Sequence, residues 1–174
     1  MKWFNLLFIA LFIHCGIATN AHALPSSIAT NYPNLQAIGE YNYSYFFLDV
    51  YNIKLYQTKD TSDIQALDIK YQRDLSAGRR LSKAVEDLEK QENVTPLILK
   101  KWEKQMKAIF PDVVKGDHIT ILKHDIITSF YHNEKLQGSI KDPAFTSAFF
   151  NVWVGKEAPD KNMRYRLLEG AFYK

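Results

Sequence analysis

Cysteine is nearly absent. Cys15 is the single one in 174 residues, and it lies in the apolar N-terminal stretch. Downstream of that stretch thiol catalysis is excluded, and no disulfide can carry stability. The core must do so instead. No apolar run is long enough to span a bilayer, which takes about 20 residues; the longest, Trp3–Ile13, falls short. No charge of one sign prevails, with 22 Lys and Arg against 19 Asp and Glu, mixed along the chain. No basic stripe points to nucleic acid, and no Lys/Arg cluster in sequence points to an anionic membrane surface. A G-x-S-x-G elbow, a P-loop, an H-E-x-x-H helix and a dinucleotide glycine pattern are all missing, and with them the chemistries they signal.

The N-terminus follows the order that a signal peptidase reads. Lys2 is followed by the apolar run, then by the small-residue site Ala21-His22-Ala23. Residues 1–23 are therefore expected to be a cleaved export signal that leaves no stable membrane anchor. His14 precedes Cys15 where a lipoprotein signal has a small residue, so Cys15 belongs to the discarded peptide. Losing Lys2 takes the formal charge from +3 to +2. The remaining chain is the size of one domain. Residues 24–36 read as a loose lead-in with Pro25 and Pro33, and residues 37–174 as the domain.

Residues 37–57 alternate with period two, through Tyr41, Tyr43, Tyr45 and Phe47 and then Tyr51, Ile53 and Leu55. That is strand patterning. Asp49 breaks the parity, which requires a tight turn near Leu48-Asp49 or a bulge. Residues 66–73 repeat the pattern, with Leu67, Ile69, Tyr71 and Arg73 on one face. A helix is expected over 78–93, on the stripe Leu81, Val85 and Leu88. A second begins at Thr95-Pro96 and ends at Phe110-Pro111. Strands follow at 117–123, 126–132 and 136–140. Asp142-Pro143 opens a helix with the face Phe145, Ala148, Phe149, Val152 and Trp153, and a last helix covers about 161–169. Strands, two helices, strands, two helices is not a repeating strand–helix alternation. The pattern predicts an α+β domain with helices packed on one antiparallel sheet.

His118, His124 and His132 make a metal site only if the strands bring them together. A turn near Asp125 separates them, and no metal or other cofactor is expected. The pairs Glu86/Asp87 and Glu89/Glu92 read as a solvated helix face. The tyrosine load is unusual, with seven of ten tyrosines between residues 32 and 71. A row of tyrosines either packs under helices or lines an apolar cavity that anchors one polar group.

These segments resemble a family. Phe47-Leu48-Asp49-Val50-Tyr51-Asn52-Ile53-Lys54-Leu55-Tyr56 is similar to the "VYxxxLY" strand of chalcone isomerase-like proteins. Leu67–Asp74 resembles the strand that follows it in the bacterial exported branch. Asp142-Pro143-Ala144-Phe145 through Ala148-Phe149-Phe150-Asn151-Val152-Trp153-Val154-Gly155 resembles that branch's "D-x-x-F-x-x-A-F-F-x-I-W-L-G" helix. The resemblance implies an open-faced β-sandwich, an antiparallel sheet covered by helices. It also implies either chalcone ring closure or fatty-acid binding in the cleft. Tyr51 stands where the plant enzyme has threonine and the fatty-acid-binding relatives have tyrosine. The preceding strand, Gly39–Ser44, lacks the family's arginine, and Arg73 is the expected substitute.

The expectation is therefore a periplasmic, non-catalytic domain holding a small apolar ligand such as a fatty acid or lipid fragment. Tyr51 and Arg73 would orient its polar end, and Tyr43, Tyr71 and Trp153 would line the site. The alternatives are an isomerase or lyase acting on a conjugated carbonyl, and an interaction module whose pocket is filled by Phe149, Phe150 and Trp153.

Overall fold

Leu24 and Ile28 are buried, so the chain is already packed where a loose lead-in was expected. The computed structural model describes residues 24–58 and 63–169, and the expected export signal lies outside the described residues. Helix α1 (Ser26–Asn31) sets Ile28 against Tyr56, Ala66 and Leu122 on one face of the sheet. Its start is tied down by the Glu134 carboxylate, which accepts from the Ser26 N–H at 2.7 Å and from its hydroxyl at 2.8 Å. One apolar residue per helical turn is too weak a pattern to read from sequence; the sheet beneath makes it a helix.

Strands β1 (Leu35–Tyr45), β2 (Leu48–Thr58) and β3 (Ile64–Tyr71) come first. Helices α2 (Ala77–Glu89) and α3 (Pro96–Ile109) follow. Strands β4 (His118–His124), β5 (Ile127–His132) and β6 (Lys135–Lys141) complete one sheet of order β1-β2-β3-β4-β5-β6. Every neighbouring pair is antiparallel. Helices α4 (Pro143–Val154) and α5 (Lys161–Leu168) close the chain. Among the described residues no helix is long and apolar enough to cross a membrane.

The register explains the core. Leu55, Leu67, Ile121 and Phe130 stand opposite one another across four strands, all buried. Ile53, Ile69 and Ile119 form the next row, and Tyr43, Tyr51 and Tyr71 the row beyond it. Each fully buried aliphatic side chain stabilises the fold by about 1.5–3 kcal/mol. The four helices α2 to α5 cover this face. Helix α5 lies on β1 and β2, α4 on β5 and β6, and α2 against α3 and α4.

Asp49 breaks parity for both of the anticipated reasons. Phe46 and Phe47 make the turn, at φ 46° and 65°. A register shift then leaves Val50 unpaired, because Tyr43 faces Tyr51 while Ser44 faces Asp49. The bulge turns Asp49 to the face of Asn42 and Ser44, whose side chains donate to it at 2.7 and 2.6 Å.

Side-chain caps set the helix starts. Ser76 accepts from Arg79 N–H, Thr95 from Ile98 N–H, and Asp160 from Met163 N–H. Asp142 accepts from the N–H groups of Ala144 and Phe145, and from Lys101 Nζ at 3.0 Å and Trp102 Nε1 at 3.1 Å. One carboxylate thus starts α4 and fastens it to α3.

Candidate ligand cavity

Tyrosines replace aliphatic residues in the row nearest one end of the sheet, and there the helices do not close on the strands. A cavity of about 600 Å3 remains. That lies within the roughly 300–1,000 Å3 of ordinary ligand pockets. Its floor is Tyr43, Tyr51, Tyr71, Ile69, Ile119 and Phe130. Its roof comes from α2 with Arg80, Ala84 and Asp87, from α4 with Phe149 and Trp153, and from α5 with Met163. A second cleft of about 540 Å3 lies beside the turn after α2, with Gln91, Glu92, Asn93 and Lys156 among its lining.

The tyrosines stack. Tyr43 and Tyr51 are parallel at 4.9 Å between ring centres, and Tyr51 meets Tyr71 and Trp153 edge-on at 6.1 and 6.3 Å. Burial raises the Tyr51 hydroxyl far above the ordinary tyrosine range, and the neighbouring Tyr71, Tyr43, Asp160 and Asp87 add to the effect. Tyr51 is therefore a neutral O–H group at any working pH. The indole N–H of Trp153 is buried and has no hydrogen-bond partner among the described residues. A buried donor left without a partner is uncommon in a folded protein.

Arg80 supplies the fixed cation. Its Nε donates to the Tyr71 hydroxyl at 2.9 Å and its Nη1 to the Pro111 carbonyl at 2.7 Å. The guanidinium lies over the rings of Tyr71 and Phe110, 5.2 and 5.1 Å from their centres. Two of its five N–H groups are thus used, which leaves three for a ligand. Four cations line the cavity, Arg79, Arg80, Lys83 and Lys161, against two carboxylates, Asp87 and Asp160. The balance favours an anionic or strongly accepting head group.

The expected site residues divide. Tyr43, Tyr51, Tyr71 and Trp153 come together on the cavity wall, and Arg73 does not line it. The parity that aligned Arg73 with Tyr71 does not apply, because β3 ends at Tyr71 and Arg73 sits in a bend beyond it. The arginine came instead from helix α2. Its signal was helical: Arg80, Ala84 and Leu88 repeat every four residues, beside the stripe of Leu81 and Val85. Asp87 also departs from expectation. It is buried against the cavity and accepts from Lys83 Nζ at 2.8 Å, rather than lying on a solvated face. Phe149 and Trp153 wall the cavity without filling it, and Phe150 lies outside its lining.

The three histidines do not converge. His118 Nδ1 bonds Asp68 at 2.9 Å, His132 Nε2 bonds Asp117 at 2.8 Å, and His124 Nδ1 bonds the Tyr32 hydroxyl at 3.0 Å.

A family model described as chalcone isomerase-like matches residues 19–169. Among solved structures, a fatty-acid binding protein of Arabidopsis thaliana is similar in fold. It has a TM-score of 0.61 and 14% identity, covering 79% of this chain and 88% of that one. No curated protein matches the chain in sequence.

Proposed function

This chain belongs to the chalcone isomerase-like family, and from that premise we propose that it binds a small apolar ligand with an acidic head, such as a fatty acid or lipid fragment, without transforming it. One observation carries the reading: an apolar cavity of about 600 Å3 whose wall presents Tyr51 and the Tyr71–Arg80 pair. The aromatic and aliphatic lining accommodates a chain. The guanidinium and hydroxyl groups meet a carboxylate, where charge-assisted bonds are roughly twice as strong as neutral ones. The fold neighbour from Arabidopsis thaliana, itself a fatty-acid binding protein, supports the same reading.

We place this activity outside the cytoplasm, in the periplasm, on the strength of the signal-like residues 1–23. N-terminal sequencing of the protein purified from its host checks that part, with a start near Leu24 expected.

The binding proposal is tested by native mass spectrometry of the protein from its host, paired with melting curves in lauric and palmitic acids. A co-purified lipid and a raised melting temperature are expected. Absence of both sinks the proposal.

A further inference from the structure

Resting on the ligand reading above, we propose that Phe149 is the stop that limits how long an acyl chain the cavity accepts, with its ring against the methyl end of the tail. The floor of the cavity is graded along the strands, and that grading orients the ligand.

The first row of the floor is Tyr43, Tyr51 and Tyr71, in register across β1, β2 and β3. Arg80 reaches this row through the Tyr71 hydroxyl. Toward the middle of the sheet the strands contribute Ile69 and Ile119, then Ile121 and Phe130. Past the tyrosine row no polar or charged lining residue comes from a strand. An acidic head held at the first row therefore sends its tail down the strands, where burial of apolar surface is favourable.

The floor then ends. Ile121 and Phe130 stand opposite each other and line the cavity, whereas Leu67, which faces Ile121 from β3, is fully buried and does not. The next row on the same face is Gln57, Gln65, Lys123 and Thr128. Gln65 Nε2 donates to Gln57 Oε1 at 3.1 Å, and Thr128 Oγ1 to Thr146 Oγ1 at 2.9 Å. None of these polar side chains lines the cavity. The tyrosine row and the Phe130 row are as far apart as Tyr71 and Leu67 on β3, roughly 13 Å at about 3.3 Å per residue.

Helix α4 closes the roof at the same level. Trp153 meets Tyr51, and Phe149, one turn earlier, meets Phe130 with its ring perpendicular at 5.3 Å. Phe145, one turn earlier again, is fully buried, 5.3 Å from Phe149 and 5.4 Å from Trp102, and does not line the cavity. Phe149 is thus the last α4 side chain on the cavity wall, backed by Phe145. Phe130 shares the level but packs on Phe110, over which the Arg80 guanidinium lies, so a change there would reach the head group as well. Each buried methylene strengthens binding about fourfold (about 0.8 kcal/mol). The gain ends where the close-packed core leaves no room.

The test is titration calorimetry of the purified protein with octanoic, decanoic, lauric, myristic and palmitic acids. In the parent, affinity should rise about fourfold per methylene and stop rising past lauric acid, whose extended chain spans about the depth of the floor. Phe149→Leu should carry the rise on to longer acids, and Phe149→Trp should end it before lauric acid. Ile121→Val enlarges the same end from the floor with less loss of core volume. It should move the break in the same direction as Phe149→Leu, and it keeps the test decisive if melting curves show that Phe149→Leu does not fold. A purely structural part for Phe149 would weaken all five acids alike, and that outcome overturns the proposal. So does a parent whose affinity climbs unbroken to palmitic acid. In both cases the acids still bind, and the ligand reading stands. A parent that binds none of the acids overturns the ligand reading, and this proposal with it.

Discussion

Arg80 Nε donates to the Tyr71 hydroxyl at 2.9 Å while its guanidinium carbon stands 5.2 Å from the centre of the same ring. The contact ties the roof of the cavity to its floor and leaves a charged edge facing the ligand. Lysine keeps the charge but loses the planar fork and the stacking. Hydrogen bonds to charged groups are worth about 1.5–3 kcal/mol each. Arg80→Lys is expected to weaken lauric acid binding at least tenfold by titration calorimetry and to lower the melting temperature modestly. Unchanged affinity would place the head group elsewhere.

Trp153 offers a reporter. Its indole N–H is buried and unpaired among the described residues, and its ring meets Tyr51 at 6.3 Å. The ring lines the cavity, so a bound ligand changes the polarity around it. Fatty acid addition should shift the tryptophan emission, and Trp153→Phe should abolish the shift while Trp102 still fluoresces. A shift that survives in the variant would show that the ligand binds away from this wall.

Asp142 contributes to acid stability. Burial raises its pKa, but the donors Trp102, Lys101 and Phe145 together outweigh burial and hold it below the ordinary carboxylate range. A carboxylate with a depressed folded pKa contributes stability above its unfolded value of 3.8, and that contribution is lost as pH falls through the folded value. The protein should therefore lose stability below about pH 4, and Asp142→Asn should flatten that part of the profile. At neutral pH, Asp142→Ala should cost about 2 kcal/mol, combining a lost cap with an unpaired Trp102 N–H. Denaturant titrations at several pH values measure both, and a variant with the parent's acid limb would reassign the effect.

Two glycines should respond with opposite signs. A Cβ on Gly39 would stand 2.2 Å from the Arg166 carbonyl oxygen and 2.5 Å from that of Leu167, both backbone. Backbone cannot move aside as a side chain does, so Gly39→Ala should cost about 1–3 kcal/mol or more and loosen α5 from β1. Gly78 has open space around it and lies in helix α2. Gly78→Ala should stabilise by up to about 1 kcal/mol. Chemical denaturation of both variants checks the pair.

Much of the fold was legible because its signals are local. Alternation marked the strands, Thr95-Pro96 and Asp142-Pro143 marked two helix starts, and the absence of a repeating strand–helix order pointed to an antiparallel sheet. Helix α1 was not legible, since Ile28 is its sole buried residue and its partners Tyr56, Ala66 and Leu122 come from strands more than twenty residues away. Arg73 misled because strand parity was carried two residues past the end of β3. Arg80 was hidden because a charge on an amphipathic helix ordinarily faces water.

By itself the sequence determined the order of the elements, the tyrosine row and the absence of thiol chemistry, because these depend on residue type and spacing along the chain. Tertiary structure decided which arginine meets those tyrosines and that the space above them stays open. It also decided that Phe46 and Phe47 stand bare at the end of a strained turn. Those outcomes depend on how separate elements approach one another, and no short-range pattern carries that distance.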